Sequence, residues 1–246
     1  MRRFIFDSTQ QDGDRVLLSA EESYHISRVL RLQPGTEIEL MDGHGRVYTA
    51  VIVEAGRKVV ARVICLKEEG SDGLVQIWVG QGLLKGKKMD GTVQQCTELG
   101  VTRLIPFFSS RCQGSLRELR DRQKGERWDR IVISACKQCK RRDLMAVDEL
   151  VEYSTILSQF RNEPGLLRLL FWEEETEFRL RPEMVDAENF DRILILLGPE
   201  GGFSRDEVAS AREGGWQTVS LGRRILRAET ATLVAVSLVQ YLAGNM

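Results

Sequence analysis

The residues best suited to chemistry lie in two segments near the C-terminus. Leu197-Gly198-Pro199-Glu200-Gly201-Gly202 sets three glycines and a proline around one carboxylate. Leu221-Gly222-Arg223-Arg224-Ile225-Leu226-Arg227-Ala228-Glu229-Thr230 sets three arginines ahead of an acid and a hydroxyl. Glycine lets backbone N–H and C=O groups approach a ligand closely. Arg, Glu and Thr add a cationic fork, a proton acceptor and a hydroxyl. Such a set suits a pocket for a small polar ligand. Either segment alone reads first as a tight turn or as solvated arginines, since glycine turns are common. Together they weigh more, because Glu229 and Thr230 open an apolar helix, where polar groups are costly unless paired or used.

The surrounding elements explain how such loops would be held. Arg192–Leu197 is a branched apolar run, expected as a buried strand of a parallel sheet. Ser204 and Glu207 form the Ser-x-x-Glu pattern of a capping box, so a helix follows, ending at Gly214-Gly215. Thr218–Leu221 reads as the next strand. The helix beginning near Glu229 is apolar nearly all round, as in a helix buried in a core or against another subunit. Strand, loop, helix, repeated, indicates an α/β fold with ligands at the carboxyl ends of the strands. Further strands are expected near 75–80, 102–107 and 167–171, and helices near 86–99, 115–138 and 153–160.

The first part of the chain reads differently. Short strand-like runs, Arg3–Phe6, Val16–Leu18, Glu37–Met41, Arg46–Val53 and Lys58–Leu66, are punctuated by Asp12-Gly13, Pro34-Gly35 and Asp42-Gly43. Ser19 and Glu22 predict a capped helix over Ala20–Leu30. Many short strands and one helix suggest a small barrel. His25, Arg28 and Arg31 recur at helical spacing and could reach phosphate; the plainer reading is a surface helix end. Ser71-Asp72-Gly73 is the expected linker, dividing a domain of residues 1–70 from one of 74–246.

Composition narrows the classes. In 246 residues, 42% are hydrophobic and 29% charged, as in a globular protein of one or two domains. No apolar run reaches the ~18 residues that span a membrane, and no signal peptide is visible, so a cytoplasmic protein without membrane partners is expected. Five cysteines suit reduced thiols. Cys136-x-x-Cys139 is a lone pair in a chain with two histidines, so no metal is expected. No Walker loop is present, and Gly80-Gln81-Gly82 has Lys85 where a dinucleotide loop needs its third glycine. The net charge of −1 hides an uneven distribution. Residues 109–142 hold 11 Lys/Arg against 4 Asp/Glu, and residues 172–191 hold 2 Arg against 8 Asp/Glu. Arg117–Arg130 reads as a solvated helix face; Lys137, Lys140, Arg141 and Arg142 look more like an RNA contact.

The two C-terminal segments resemble those of the SPOUT (α/β-knot) RNA methyltransferases. The resemblance runs upstream through Lys88-Met89-Asp90, Thr97-Glu98-Leu99-Gly100-Val101, Arg111-Cys112, Trp128-x-x-Ile131 and Ala135-Cys136-x-Gln138-Cys139. It reaches His25-Ile26-x-Arg28-Val29-Leu30-Arg31-Leu32-x-Pro34-Gly35. It implies a trefoil-knotted C-terminal α/β domain, an N-terminal PUA-like RNA-binding barrel and a homodimer. S-adenosyl-L-methionine is the implied cofactor, bound by Leu197, Gly198, Pro199, Gly201, Gly202, Leu221, Gly222, Ile225 and Leu226. The implied reaction methylates N3 of a uridine in 16S rRNA of the small (30S) ribosomal subunit, near the decoding region. Arg227 would then hold a uracil carbonyl. Glu229 or Glu200 would orient that arginine or receive the proton, and Thr230 would give a hydroxyl bond and cap the last helix. RNA would be met by His25, Arg28, Arg31, Lys88, Arg111, Gln138 and Arg141. The chain departs from the pattern after Cys139: Lys140 replaces a glycine and Met145 an expected proline. Competing readings are a SPOUT enzyme for another RNA and a non-catalytic RNA-binding assembly factor.

Overall fold

A computed structural model describes residues 1–70, 75–113, 122–185 and 189–246. The expected linker, the start of the helix expected at 115–138, and Arg117 and Arg120 lie outside the described residues. The chain forms two compact units, Met1–Asp72 with Ile133–Leu144, and Gly73–Val132 with Met145–Met246. In space, therefore, the first unit takes a stretch that sequence order alone puts inside 74–246.

The first unit is a six-stranded sheet of β1 (Arg3–Ile5), β2 (Gln11–Asp12), β3 (Arg15–Leu17), β4 (Glu37–Met41), β5 (Arg46–Glu54) and β6 (Val60–Glu69), in the order β1-β4-β5-β6-β3-β2. β1 and β4 are parallel and the other pairs antiparallel. Alternation along the strands buries Phe4, Phe6, Val16, Ile38, Leu40, Ala50, Ile52 and Ala61 in one cluster with Ile26. Each large side chain so buried contributes about 1.5–3 kcal/mol. α1 (Ala20–Tyr24) is capped by Ser19 Oγ, which accepts from Glu22 N–H at 3.2 Å. The expected box is only half formed: the buried Glu22 carboxylate takes Lys137 Nζ at 2.6 Å instead. After Tyr24 the chain widens into a π-helical turn, His25–Val29, and Arg31 sits at φ 52°.

Arg3 and Glu39 form a buried ion pair at 3.0 Å, and Lys67 reaches the other Glu39 oxygen. Arg3 Nη1 also donates to the Lys140 carbonyl at 2.6 Å. Lys140 follows the last residue of α3 (Arg122–Cys139) and sits at φ 64°. This is the left-handed conformation a helix end commonly gives to glycine, at the position where the family pattern has one. Lys140→Gly should therefore stabilise the protein by about 1 kcal/mol, read as a higher urea midpoint with an unchanged slope.

The second unit is a parallel sheet with helices. Its strands are β7 (Gln76–Gly82), β8 (Arg103–Phe108), β9 (Ala146–Val147), β10 (Val151–Glu152), β11 (Leu166–Phe171), β12 (Arg192–Leu197) and β13 (Gln217–Val219). The order is β10-β8-β7-β12-β11-β13, with β9 also on β8. The central strands are continuous apolar runs because both faces are covered. The helices are α2 (Lys87–Glu98), α4 (Tyr153–Gln159), α5 (Arg205–Glu213) and α6 (Ala228–Leu242), besides the start of α3. The capping box of Ser204 and Glu207 is complete, and Gly215 takes φ 80° after α5. β13 ends at Val219, two residues before the expected Leu221, because Ser220 turns the chain by bonding with Gly222.

The acidic stretch after β11 is largely consumed internally. Glu174 pairs with Arg205 at 3.0 Å. Glu175 is buried and accepts from Thr218 Oγ1 at 2.6 Å and Arg212 Nη2 at 2.7 Å, and from the N–H groups of Glu177 and Phe178. Burial pushes the Glu175 carboxyl up, but these hydrogen bonds outweigh it and hold it below its ordinary 4.5. A depressed carboxyl stabilises a fold fully above its unfolded pKa, and less as pH falls through the folded value. Stability should thus decline below about pH 4.5. Glu175→Gln should flatten that decline while costing about 1–3 kcal/mol at neutral pH. Urea titrations from neutral to acid pH check both.

Candidate active site

The register of the parallel sheet brings the loops together. Gln81, Leu197, Phe171 and Val219 are paired across β7, β12, β11 and β13. The chain therefore leaves four neighbouring strands at one level, at their carboxyl ends. A cavity of about 280 Å³ opens there, lined by the three segments that follow Phe171, Leu197 and Val219, by the first turn of α6 and by Lys88.

The glycine loop is shaped by contact. Gly202 has φ 66°, and a Cβ there would lie 2.0 Å from Glu173 Oε1. Gly198 packs on Gly202 at 3.1 Å from where its own Cβ would be. Phe203 anchors the end of the loop, stacked on Phe107 with ring centroids 6.1 Å apart. Gln81, fully buried, donates to the Gly82 and Gly198 carbonyls at 2.9 and 3.2 Å and accepts from Thr232 Oγ1 at 2.6 Å. One side chain so ties β7, the glycine loop and α6.

Charge in the cavity is balanced. Glu173, Glu200 and Glu229 face Lys88, Arg224 and Arg227. Lys88 Nζ stands 3.5 Å from Glu200 Oε1 and 3.4 Å from Glu229 Oε2, bridging the glycine loop and the first turn of α6. Glu200 Oε1 also accepts the Lys85 N–H at 3.0 Å. The Glu229 carboxyl is held below its ordinary value, first by its own backbone N–H at the start of α6, against burial, and then by Lys88 and Arg227. It is therefore an anion at neutral pH and a weak proton acceptor. Its Oε2 is buried without a hydrogen bond, as is Nε1 of Trp172, another lining residue. A ligand with both donors and acceptors would satisfy the pair.

Most of the site residues expected from sequence converge here. Leu197, Gly198, Pro199, Gly202, Leu221, Gly222, Ile225 and Leu226 line the cavity, with Glu200, Arg227 and Glu229. Gly201 does not; it packs on Arg111, whose Nη1 donates to its carbonyl at 3.0 Å. Arg111 thus braces the loop. Thr230 is exposed and outside the cavity, and the residue flanking α6 is Arg227, with no side-chain cap. The hydroxyl tied to the loops is that of Thr232, one helical step nearer the core. Lys88, expected on RNA, is the bridge between carboxylates. In the first unit Arg28 and Gln138 are exposed, whereas His25 is half-buried with its ring edge on Phe4. Arg31 is exposed but leaves the helical spacing at its positive φ. Arg141 is buried, which removes it as a phosphate contact, and Lys137 is spent on Glu22. Sequence reasoning missed Phe171, Trp172 and Glu173. Their signal was present: an acid following a buried strand, in a sheet whose other strand ends were already suspect.

Known proteins share this architecture. Residues 72–240 match the model of an RNA methyltransferase domain, and residues 18–64 that of an RNA methyltransferase PUA domain. Over 235 residues the chain is 30% identical to ribosomal RNA small subunit methyltransferase E of Aquifex aeolicus, covering 95% of this chain and 97% of that one. The chain belongs to the ribosomal RNA small subunit methyltransferase E family. The relative from Synechocystis sp. is 31% identical over 228 residues, covering 92% of this chain and 73% of its own. A crystal structure of the Neisseria gonorrhoeae protein of that name, bound to S-adenosyl methionine, superposes with a TM-score of 0.84 at 31% identity, covering 98% of each chain. A Legionella pneumophila methyltransferase with bound cofactor SAM gives 0.80 at 29%, covering 97% of this chain and 96% of that one. The chain is an RNA methyltransferase with a C-terminal α/β methyltransferase domain and an N-terminal PUA-like domain. Among the described residues no helix is long and apolar enough to cross a membrane, and no cluster of His, Cys, Asp and Glu could hold a metal ion.

Gly202→Ala tests the loop. A methyl group at positive φ, against the Glu173 carboxylate, should weaken cofactor binding by about tenfold or more. Isothermal titration calorimetry reads this, with thermal unfolding as the control for folding.

Proposed function

We propose that this chain transfers methyl from S-adenosylmethionine to N3 of a specific uridine in 16S rRNA of the small ribosomal subunit. The observation that carries the reading is the convergence of Arg227, Glu229 and Glu200 on one cavity with the glycine loop and Leu221–Leu226. The cavity fits the cofactor chemically. Three carboxylates complement a sulfonium and an ammonium, cations complement its carboxylate, and Glu229 Oε2 and Trp172 Nε1, both without a hydrogen bond, suit a donor and an acceptor. Leu197, Leu221, Ile225 and Leu226 offer apolar surface to the adenine, and backbone groups of Gly198 and Gly202 offer hydrogen bonds. When bound, the cofactor supplies a methyl group already activated on sulfur.

The chain has to do the rest. Uracil N3 carries a proton, and its removal builds negative charge on the flanking oxygens. Arg227, at the mouth of α6, holds that charge. Glu229, kept anionic by its surroundings, orients Arg227 instead of taking the proton. Glu200, at the edge of the cavity, passes the proton to water. Arg28, Arg31 and His25 of the PUA-like unit and the exposed Gln138 contribute to RNA binding. The exposed Leu233, Leu238 and Tyr241 of α6 suit a second copy of the chain, and the cytoplasm is where such a substrate lies.

The decisive experiment incubates the protein with labelled S-adenosylmethionine and either 30S subunits or naked rRNA, then maps the modified base. Label at N3 of one uridine is expected; label elsewhere, or none, overturns the reading. Arg227→Ala should lower turnover by about 100-fold and leave cofactor affinity within about threefold. Equal loss of both would remove Arg227 from the chemical step.

A further inference from the structure

A second cavity, of about 560 Å³, lies in the methyltransferase unit and is used by nothing described so far. It is built by the loop after β7, the first turn of α2 and the start of α3. Its floor is apolar: Leu83, Leu84, Met89 and Trp128 all line it while staying buried. Its rim carries the exposed cations Lys85, Lys87 and Arg127. The acids that line it are already engaged: Asp90 pairs with Arg127, and Glu200 with Lys88 and the Lys85 N–H. Lys85 and Lys87 have no carboxylate partner among the described residues, so the rim is net positive.

Glu200 lines this cavity and the active site alike. Whatever occupies the second cavity therefore adjoins the base being methylated. A floor of aromatic and aliphatic surface under a cationic rim suits one ligand chemistry, a planar base joined to a phosphate. We propose that this cavity receives a nucleotide flanking the target uridine, its base on the Met89–Trp128 floor and its phosphate on Lys85 and Lys87. Splaying a neighbour out of the stack frees the target base to enter the active site, because stacking must be broken on at least one side before a base turns in. The inference rests on the reading of the first cavity as a methyl-transfer site for RNA.

Equilibrium binding of labelled 16S rRNA to the full chain tests it apart from turnover. The Lys85→Glu/Lys87→Glu double variant should bind RNA about tenfold more weakly, with a salt dependence shallower by about one to two phosphate contacts. Cofactor affinity, measured on the same sample, should stay within about twofold and confirms the fold. In wild-type protein, RNA should quench tryptophan fluorescence, and Trp128→Phe, which keeps the apolar floor, should lose most of that quench. Unchanged RNA affinity in the double variant overturns the proposal, and an unchanged quench in Trp128→Phe overturns the placement of the base. Wild-type protein that binds rRNA but transfers no methyl overturns the proposed reaction, while the binding comparison still decides the cavity. Wild-type protein that binds no RNA overturns both.

Discussion

Between β7 and the loop after β12 there is no room for a side chain, and the rest of the site depends on that. A Cβ at Gly82 would stand 2.4 Å from the nitrogen of Pro199 and 2.8 Å from the Gly198 carbonyl carbon. At Gly80 the Leu196 side chain comes within 2.2 Å of the same imagined atom. Two segments 117 residues apart in sequence, at Gln81 and Gly198, thus pass backbone against backbone. Gln81 converts that contact into a junction, because a buried amide that fails to bond would cost more than the bonds it makes. Its partners are the Gly82 and Gly198 carbonyls and the Thr232 hydroxyl. The loop geometry is therefore set by the central strand. Helix α6 is held by the same residue through Thr232, so the two walls of the cavity cannot drift independently.

The electrostatic arrangement follows from this closeness. Glu200 arrives on the glycine loop and Glu229 on the first turn of α6, and two carboxylates at one rim would repel. Lys88, from the first turn of α2, stands within 3.5 Å of both. The bridge is partly open to water, so its worth in folding is small. Its consequence is electrostatic: it adds to the helix N-terminus in holding the Glu229 carboxyl below its ordinary value, near the Arg227 charge. A lysine that sequence comparison alone would send to the phosphate backbone is here part of the cavity wall.

Much of this was legible in the chain. Arg192–Leu197 and Glu37–Met41 have the predicted bounds, since runs closed by Gly198-Pro199 and by Asp42-Gly43 admit few other ends. The Ser204–Glu207 box was equally readable, because capping is a local matter. The site was legible wherever backbone or charge at a strand end announced it, as at Gly198, Arg227 and Glu229. It was illegible where tertiary pairing decided. Arg141 looked like a free cation and is buried. Glu22 looked like half of a capping box and is an ion-pair partner of a residue 115 positions away. Thr230 and Thr232 are indistinguishable in sequence, and only the rotation of α6 turns one to water and the other to Gln81. Glu173 carried the signal of an acid just after a buried strand, but nothing in the run Glu173-Glu174-Glu175 singled it out from its neighbours.

The same pairing explains how a chain of net charge −1 can serve a polyanion. A sum over the sequence treats all charges as equal, whereas RNA meets only those that face water unpaired. Glu22, Glu39 and Glu175 are buried against cations, and Glu174, Asp148 and Glu163 are tied to arginines. Each such pair withdraws a cation along with its acid, so pairing changes where the unpaired charges stand and not their balance. Lys85, Lys87, Arg28 and Arg31 remain exposed, and the first two flank the cavity beside the active site. A local positive surface therefore comes from the placement of unpaired cations such as Lys85 and Lys87, without a strongly cationic protein. A modest net charge limits non-specific adhesion to other nucleic acids, while unpaired cations beside the cavity keep a local attraction for a polyanion.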